Sequence, residues 1–471
     1  MGFFKAYDMR GTFGVDFDLD TVYRVGKALS EVVKGRRWLV GRDCRVTSKD
    51  IRDALVRGLE DAGVEVTDLG LCTTPMVYFF TAEGGFDGSV MITASHNPPG
   101  DNGLKVSMRT ALPVGYANGL NEVEKIVRLF DCSDCSRKLG ECSGVRMMDD
   151  SRNRYIDWMR QSNNRTIRTI EQLSFAVDCS NGMASLLARE IFPTAVIIND
   201  TLDGTFSNHS PNPLKAEARA QLSALVRERQ LDCGIIFDGD ADRAMFVDER
   251  GEFVQPDYLI PIVAKATLAA STSTVSPPRI IHDVRTSRGA IEELKRMGCE
   301  PVMVPVGHAF AKPILRETGA VCGGELAGHY YFSEFHGCDS GMLAAMRILA
   351  EIAAAKARGQ TFSQMMRPIA GVYANSGELN FKVADPPSLK LRRTGKDGKD
   401  LAIDRVLACA AEKLPRELSR SELDGIRIEY AEGWINIRKS NTEPYLRLIA
   451  ECDTAARLTA WVEILKGAIE S

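Results

Sequence analysis

The chain has 471 residues, a net charge of −4 and 44% hydrophobic residues, which is the profile of a globular protein. Its lysines and arginines are spread along the chain, and no apolar run approaches the roughly 20 residues that span a bilayer, so we expect no nucleic-acid partner and no membrane segment. The twelve cysteines do not form a disulfide framework, and the start of the chain lacks the apolar core of a signal peptide, so a cytoplasmic location is predicted.

Three β–α–β modules follow one another and predict three α/β domains. In the first, a helix over 48–62 is expected to be capped by Thr47 or Ser48 and ended by Gly63. The modules consist of strands at 38–40 and 64–69 around this helix, strands at 175–178 and 195–198 around a helix at 184–191, and strands at 279–283 and 301–304 around a helix at 287–297.

The last hundred residues differ, because short alternating strands lie close together there and predict an antiparallel α+β domain. The strands are predicted at 377–383, 425–430, 433–438 and 445–450, with a helix near 403–414, a terminal helix, and loops at 386–387 and 392–400. The predicted domains are 1–147, 148–252, 253–370 and 371–471.

The segment Thr93-Ala94-Ser95-His96-Asn97-Pro98-Pro99-Gly100 is the first that carries chemistry. It follows a hydrophobic strand end, and its two prolines and its glycine exclude a helix. A serine displayed there, beside a histidine and ten residues before Lys105, indicates an acceptor for a transferred group. Taken alone, the segment is also compatible with an ordinary polar loop.

A second loop lies between two hydrophobic strands and carries Asp238, Asp240 and Asp242. Three carboxylates at this spacing repel one another without a cation, and hard oxygen ligands in so short a loop suit Mg²⁺. The alternative is a solvated acidic turn. An EF-hand is excluded, because the bidentate glutamate at its twelfth position is missing.

A third loop, residues 322–329, places Glu325 and His329 among glycines, so that backbone can approach a ligand closely and a carboxylate can read sugar hydroxyls. The alternative is a plain glycine turn. A fourth loop, residues 438–447, carries Arg438 and Arg447 with small polar side chains between them and could hold one phosphate. The alternative there is a charged hairpin.

Weaker signals lie elsewhere in the chain. Arg10 is near the start, Arg45 ends a Gly-Arg-Asp-Cys-Arg segment, and Gly307 precedes a histidine after a predicted strand. Three of the six histidines fall in candidate loops: His96, His308 and His329. The other three are interpreted as structural: His209, His282 and His336. The cysteines Cys132, Cys135 and Cys142 resemble a metal knuckle only superficially.

The four main loops, in this order and in separate predicted domains, resemble those of the α-D-phosphohexomutase superfamily, in its phosphomannomutase/phosphoglucomutase branch. The resemblance covers essentially the whole chain. It implies three related α/β domains with mixed sheets and a C-terminal α+β domain like the TATA-binding-protein fold, arranged around a central cleft.

The resemblance also implies roles for single residues. Ser95 would be phosphorylated and would bind Mg²⁺ together with the three aspartates. The further catalytic residues would be Arg10, Lys105, Arg243, His308 and His329. The sugar site would contain Tyr7, Arg285, Gly307, Glu325 and Ala327. The second phosphate would lie against Arg438, Ser440, Asn441, Thr442 and Arg447. Arg10 or a histidine would carry the proton.

The implied activity is the reversible interconversion of a hexose 6-phosphate and a hexose 1-phosphate through a hexose 1,6-bisphosphate, with sugar phosphates as the partners of a monomer or dimer. Ala327 stands where a serine is usual, Arg285 stands where lysine is common, and Leu326 argues against phosphoglucosamine. Mannose is preferred over glucose as the expected sugar. The alternatives are a glucose-dominant mutase, a metal-dependent sugar phosphatase and a sugar-phosphate sensor without catalysis.

Overall fold

The computed structural model describes residues 2–130, 145–270, 276–383, 397–440 and 445–471. The cysteines of the knuckle-like segment, the loop at 386–387, and two residues expected to bind phosphate, Asn441 and Thr442, lie outside these ranges. Four sheets follow one another along the described part of the chain. None of its helices is both long and apolar enough to cross a bilayer.

The first sheet is mixed, as predicted. Strand β2 pairs in parallel with β3 and β4, and β5 runs antiparallel to β4 and β1. Its elements are β1 Met9–Thr12, α1 Leu19–Val32, β2 Arg37–Arg42, α2 Ser48–Asp61, β3 Glu65–Leu71, α3 Thr74–Glu83, β4 Gly88–Ile92, β5 Asp101–Met108, β6 Leu112–Pro113, α4 Leu120–Leu129 and β7 Arg146–Met147.

The second and third sheets repeat one pattern, in which two parallel pairings are followed by two antiparallel pairings. The second domain contains α5 Ser151–Ser162, α6 Asn164–Ile170, β8 Phe175–Asp178, α7 Ala188–Ile191, β9 Val196–Ile198, α8 Ala216–Glu228, β10 Cys233–Phe237, β11 Ala244–Asp248 and β12 Phe253–Val254. The third contains α9 Ile260–Ala270, β13 Arg279–Asp283, α10 Arg288–Arg296, β14 Glu300–Val304, α11 His308–Thr318, β15 Cys322–Gly324, β16 Tyr330–Phe332, β17 Cys338–Asp339, α12 Gly341–Ala357 and α13 Phe362–Ala370.

The fourth sheet is antiparallel throughout its described pairings, and two helices accompany it, as predicted for an α+β domain. Its elements are β18 Ala374–Asn375, β19 Leu379–Lys382, α14 Gly398–Lys413, β20 Ser419–Ser421, β21 Ile426–Glu429, β22 Gly433–Lys439, β23 Tyr445–Cys452 and α15 Ala455–Glu470.

The fourth domain has a hydrophobic core of its own, whereas one large core joins the first three domains. Polar contacts connect the fourth domain to the third: the guanidinium group of Arg427 donates to the carbonyl oxygens of Val284 and Thr286 at 2.6 and 3.0 Å. The boundary between these two domains is therefore held by hydrogen bonds and ion pairs more than by apolar packing.

Three local predictions were wrong. The helix expected at 184–191 is split at Leu187, because its first turn is drawn toward the second loop, where the N–H of Met183 donates to Gly239 O at 2.9 Å. Helix α14 begins at Gly398, inside the loop predicted at 392–400, because the side chain of Asp397 caps it. Thr47 precedes α2, but its side chain makes no capping hydrogen bond.

Candidate active site

Ser95 is buried in the loop between β4 and β5, with 1% of its surface exposed. Its φ of +50° places it in the left-handed region, a backbone conformation that a residue other than glycine adopts only when its surroundings hold it there. The N–H of Ser95 donates to Thr93 Oγ1 at 2.8 Å, and its hydroxyl donates to Asp238 Oδ2 at 2.6 Å. The loop therefore aims the serine oxygen at the second domain.

Arg45, which the sequence pattern indicated only weakly, binds the backbone of this loop. Its buried guanidinium group donates to four carbonyl oxygens of the loop at 2.6 to 3.0 Å, those of Ser95, Asn97, Pro98 and Asp101. Four backbone acceptors on one planar group fix the path of the chain on both sides of the serine.

The three aspartates lie between β10 and β11 and are fully buried. One oxygen of each lies within 4.8 Å of the others. Among the described residues, Asp240 Oδ1 and Asp242 Oδ1 have no hydrogen-bond partner. Gly239 brings this loop against the serine loop, since a Cβ there would lie 2.5 Å from Ser95 O. Buried, unpartnered carboxylate oxygens of this kind fit a hard divalent cation.

The same carboxylates contact two residues of the first domain. Lys105, on β5, places Nζ 2.8 Å from Asp240 Oδ2 and 2.5 Å from Asp242 Oδ2. Thr74, the first residue of α3, donates to Asp240 Oδ2 at 2.5 Å. Burial opposes the charge of Lys105, but the two aspartates outweigh burial and raise the pKa of its ammonium group.

The aspartates differ in their titration. Burial raises the pKa of Asp238 well above its usual range, and repulsion by Asp242 and Asp240 adds to this. Burial acts on Asp242 in the same direction, but Lys105 outweighs it and lowers the pKa of that carboxyl.

Arg243 connects the second domain to the third. Its Nε donates to His329 Nε2 at 2.9 Å, and His329 Nδ1 lies 2.7 Å from Asp339 Oδ2. Because Nε2 accepts from Arg243, we assign the ring proton to Nδ1. Asp339 also pairs with Lys312 at 2.7 Å, and neither side chain is exposed. Asp339 and Lys312 therefore support the ring of His329, a role that the sequence patterns had not assigned to either residue.

All of the residues predicted to read the sugar except Tyr7 lie in the third domain. Glu325 is buried and accepts a hydrogen bond from the Tyr331 hydroxyl at 2.5 Å, while Arg285 Nη2 lies 3.7 Å from Glu325 Oε2. Burial raises the pKa of Glu325. Ala327 is partly exposed in the same loop.

Tyr7 of the first domain packs on the third domain at Gly307, where φ is +117° and a Cβ would lie 2.9 Å from the Tyr7 ring. The next residue, His308, begins α11. Burial lowers the pKa of His308 well below its usual range, with Lys312 acting in the same direction. Among the described residues, its Nδ1 has no hydrogen-bond partner.

Arg10 belongs to the same cleft, because its Nη1 donates to Asn97 Oδ1 of the serine loop at 3.0 Å. It also pairs with Asp8 at 2.6 Å. Burial opposes its charge, but Asp8 outweighs burial and raises the pKa of the guanidinium group. Arg10 therefore remains a cation beside the loop.

The fourth domain contributes Arg438 on β22 and Arg447 on β23, which are register partners across the two strands. Both pair with Glu378, at 2.8 and 3.1 Å. The backbone N–H of Ser440 donates to Tyr445 O at 2.9 Å, which closes the described end of this loop. Glu378 also lies 3.4 Å from Arg285, so an ion-pair cluster joins the third and fourth domains. No sequence pattern had indicated Glu378.

Four family models match the chain in order. They are phosphoglucomutase/phosphomannomutase alpha/beta/alpha domain I over residues 1–129, domain II over 153–251, domain III over 255–372, and the C-terminal domain over 378–467. Together they cover most of the chain, in the same order as the four sheets.

A phosphomannomutase of Escherichia coli is 34% identical over 459 residues, which is 95% of this chain and 94% of that protein. The crystal structure of a phosphoglucomutase/phosphomannomutase family protein from Burkholderia thailandensis gives a TM-score of 0.79 at 28% identity, covering 100% of this chain and 97% of that one.

An N-acetylphosphoglucosamine mutase of Aspergillus fumigatus, crystallised with GlcNAc-6P and magnesium, gives a TM-score of 0.59 at 13% identity, with 99% and 95% of the chains covered, and shows the shared fold alone. The family models and the near full-length relative agree with the four loops that converge in the structure. The chain belongs to the phosphoglucomutase/phosphomannomutase family.

Proposed function

We propose that the chain interconverts the 6-phosphate and the 1-phosphate of a hexose, with Ser95 carrying the phosphoryl group between the two positions. The observation that carries this proposal is the hydrogen bond of 2.6 Å between Ser95 Oγ and Asp238 Oδ2. A buried serine oxygen directed at a cluster of carboxylates is the arrangement expected where a cation held by the carboxylates assists the transfer of a phosphoryl group to and from the serine.

The residues fit a resident Mg²⁺ ion. The fit rests on two buried oxygens, Asp240 Oδ1 and Asp242 Oδ1, that lack partners among the described residues. Asp238, Asp240, Asp242 and the Ser95 phosphate would hold the ion. When bound, it would withdraw negative charge from the phosphoryl oxygens during transfer. Lys105 and Arg243 add positive charge on the same side.

Each half of the reaction moves one phosphoryl group and one proton. In the first, the bond from phosphorus to Ser95 Oγ breaks as a bond forms to the free sugar hydroxyl, whose proton passes to the serine oxygen. In the second, Ser95 Oγ takes the other phosphoryl group, and its proton passes to the sugar oxygen that is released. The intermediate between the halves is a hexose 1,6-bisphosphate.

We assign the proton relay to a neutral histidine, His96 or His308. His96 Nδ1 lies 3.2 Å from Ser95 Oγ, and His308 Nδ1 has no hydrogen-bond partner among the described residues. Burial lowers the pKa of both rings, whereas both ring nitrogens of His329 are engaged and Arg10 is held as a cation by Asp8. His329 then serves to orient Arg243, and Arg10 supplies charge.

The phosphate that is not transferring is assigned to the distal clamp, which consists of Arg438, Ser440 and Arg447 with Asn441 and Thr442. Guanidinium groups bind phosphate through paired hydrogen bonds. Because the fourth domain has a separate core and a polar boundary, it can move to let the bisphosphate turn over between the two halves.

The sugar is assigned to the loop around Glu325, with Arg285, Ala327, Gly307 and Tyr7 at its sides. A buried carboxylate that already accepts a hydrogen bond from Tyr331 can accept a further one from a ring hydroxyl. We expect mannose to be preferred over glucose, in keeping with the phosphomannomutase relatives.

The test is conversion of mannose 1-phosphate and glucose 1-phosphate in the presence of Mg²⁺ and a trace of hexose 1,6-bisphosphate. We expect the 6-phosphate as the product, with a higher kcat/KM for mannose. Inorganic phosphate as the main product would indicate a phosphatase instead. Binding without conversion would indicate a sensor.

Three further properties are part of the proposal. The domain boundaries are placed near residues 147, 252 and 370. The protein is expected to act as a monomer or dimer in the cytoplasm, with sugar phosphates as its partners and with no nucleic acid or membrane bound. Size-exclusion chromatography with light scattering tests the oligomeric state.

A further inference from the structure

Glu378 is a carboxylate surrounded by three guanidinium groups. Its Oε1 accepts from Arg438 Nη2 at 2.8 Å and lies 3.4 Å from Arg285 Nη1, and its Oε2 lies 3.1 Å from Arg447 Nη1. The side chain of Glu378 is 20% exposed, and those of Arg438 and Arg285 are 2% and 4% exposed. Burial opposes ionisation of Glu378, but the three arginines outweigh it and lower its pKa to about 2.

The position of Glu378 in the chain makes this cluster a junction. Glu378 immediately precedes β19, in the turn between β18 and β19 of the fourth sheet. Arg285 follows β13 of the third domain, whereas Arg438 and Arg447 lie side by side on β22 and β23. One carboxylate therefore holds arginines from both sides of the domain boundary.

The charges in the cluster do not cancel. Arg438 and Arg447 are direct cross-strand neighbours and repel each other, whereas Arg285 is already paired with Asp283 at 2.6 Å. Glu378 supplies one negative charge against Arg438 and Arg447, so these three side chains keep a net charge of about +1 and attract an anion such as phosphate. Among the described residues, the buried Arg438 Nε has no hydrogen-bond partner, so Glu378 does not occupy every donor of this arginine.

A phosphate bound to Arg438 and Arg447 would compete with Glu378 for the same donors and would be repelled by its charge. We propose that Glu378 is the resident counter-ion of the distal clamp. Glu378 pairs with Arg438 and Arg447 when the sugar phosphate leaves, and this competition weakens phosphate binding. This inference rests on the proposed function for the identity of the ligand as a sugar phosphate.

The exchange suits a reaction in which the bisphosphate must leave the clamp and return reversed. Arginines without a resident anion would hold a dianion tightly, and release would then be slow. With Glu378 present, the departing phosphate is replaced by a carboxylate already within hydrogen-bond distance, so the arginines do not lose their partner when the clamp empties.

The test is a calorimetric titration of the full-length protein with inorganic phosphate, in Mg²⁺-containing buffer, for the wild type and Glu378→Gln. Glutamine keeps the shape and removes the charge, so we expect phosphate to bind about tenfold more tightly, a change worth about 1.4 kcal/mol. In turnover, KM and kcat should both fall, because substrate binds better and the intermediate leaves more slowly.

Glu429→Gln is the matched control. Glu429 also pairs with two arginines at this domain boundary, Arg288 and Arg427, at 2.9 and 2.8 Å, but among the described residues it forms no ion pair with Arg438 or Arg447. Its phosphate affinity should stay within about twofold of the wild type. Adding Arg447→Gln to Glu378→Gln should remove the gain, which assigns the gain to the clamp and not to the serine loop.

Unchanged or weaker phosphate binding by Glu378→Gln would overturn the inference, because Glu378 would then only hold the arginines in place. If the glutamine variant does not fold, Glu378→Ala provides the same comparison. The titration requires no turnover. A wild type that binds phosphate as described but does not isomerise sugar phosphates would therefore contradict the proposed function and leave this inference standing.

Discussion

Ser95 Oγ lies 2.6 Å from Asp238 Oδ2, although 143 residues separate the two in the chain. The serine is presented by the loop after β4 of the first sheet, and the aspartate by the loop after β10 of the second. Glycine at 239 allows the two loops to touch, since any Cβ there would meet the serine carbonyl oxygen. The reactive centre thus depends on the junction of two domains.

Arg45→Lys is expected to lower kcat by about 100-fold while KM changes little. One ammonium group cannot span the four carbonyl oxygens that the guanidinium group now holds, so the serine oxygen would drift from its place. Steady-state kinetics checks this split between kcat and KM.

The control is Arg52→Lys, in which a half-buried arginine of the same domain is changed away from the serine loop. It should keep the kcat of the wild type. Full activity of Arg45→Lys would show that the loop keeps its shape without the guanidinium group.

Asp240→Asn is expected to raise the Mg²⁺ concentration needed for half-maximal activity by at least about tenfold, because it removes one charge from a three-carboxylate site. The measurement is the dependence of rate on Mg²⁺ at saturating substrate. Asp248→Asn is the control, since Asp248 is also buried but lies at the far end of β11, where it pairs with Arg250. An equal Mg²⁺ requirement in all three proteins would remove Asp240 from the metal site.

Asp339→Asn is expected to lower the free energy of unfolding by about 3–5 kcal/mol, because it leaves the fully buried ammonium group of Lys312 without its partner. Adding Lys312→Met should recover most of this stability. Activity should remain low in the double variant, because the Nδ1 proton of His329 then faces a neutral amide instead of the carboxylate that orients the ring. Urea unfolding and kinetics separate the two effects; a loss below 1 kcal/mol for the single variant would contradict the account.

His282 predicts a pH dependence of stability. Burial lowers its pKa to about 4, and Arg427 acts in the same direction, whereas the unfolded chain has the usual value near 6.5. Between these two values the unfolded state binds more protons, so the free energy of unfolding falls as the pH drops from 6.5 to 4, by roughly 3 kcal/mol.

His282→Gln should flatten this slope, as measured by urea unfolding at several pH values in that range. A slope as steep as that of the wild type would mean that other groups cause the acid sensitivity.

The helices and strands that could be predicted well from the sequence are those that depend on residues close together in the chain. Helix α2 follows from the spacing of its apolar residues and from Gly63, whose φ of +79° ends it. The split at Leu187 and the early start of α14 could not be predicted so well. The first results from a contact with a loop about 50 residues away, and the second from Asp397, one charge among many in its segment.

The candidate site shows the same division. The loops of Ser95 and Asp238 were identifiable because their residue types carry chemistry by themselves. Arg45 was only a weak signal and Glu378 was missed, because their importance lies in partners that only the fold supplies: backbone carbonyl oxygens for the arginine, and arginines of two domains for the glutamate.

We predict that Ser95 carries the phosphoryl group, and intact-mass spectrometry tests this most directly. The wild type incubated with hexose 1,6-bisphosphate should gain the mass of one phosphate and lose it on addition of excess mannose 6-phosphate. Ser95→Ala should gain none and should lose at least about 1000-fold in kcat, while Ser30→Ala should behave as the wild type. A phosphorylated Ser95→Ala protein, or one that retains mutase activity near the wild-type level, would contradict the central claim.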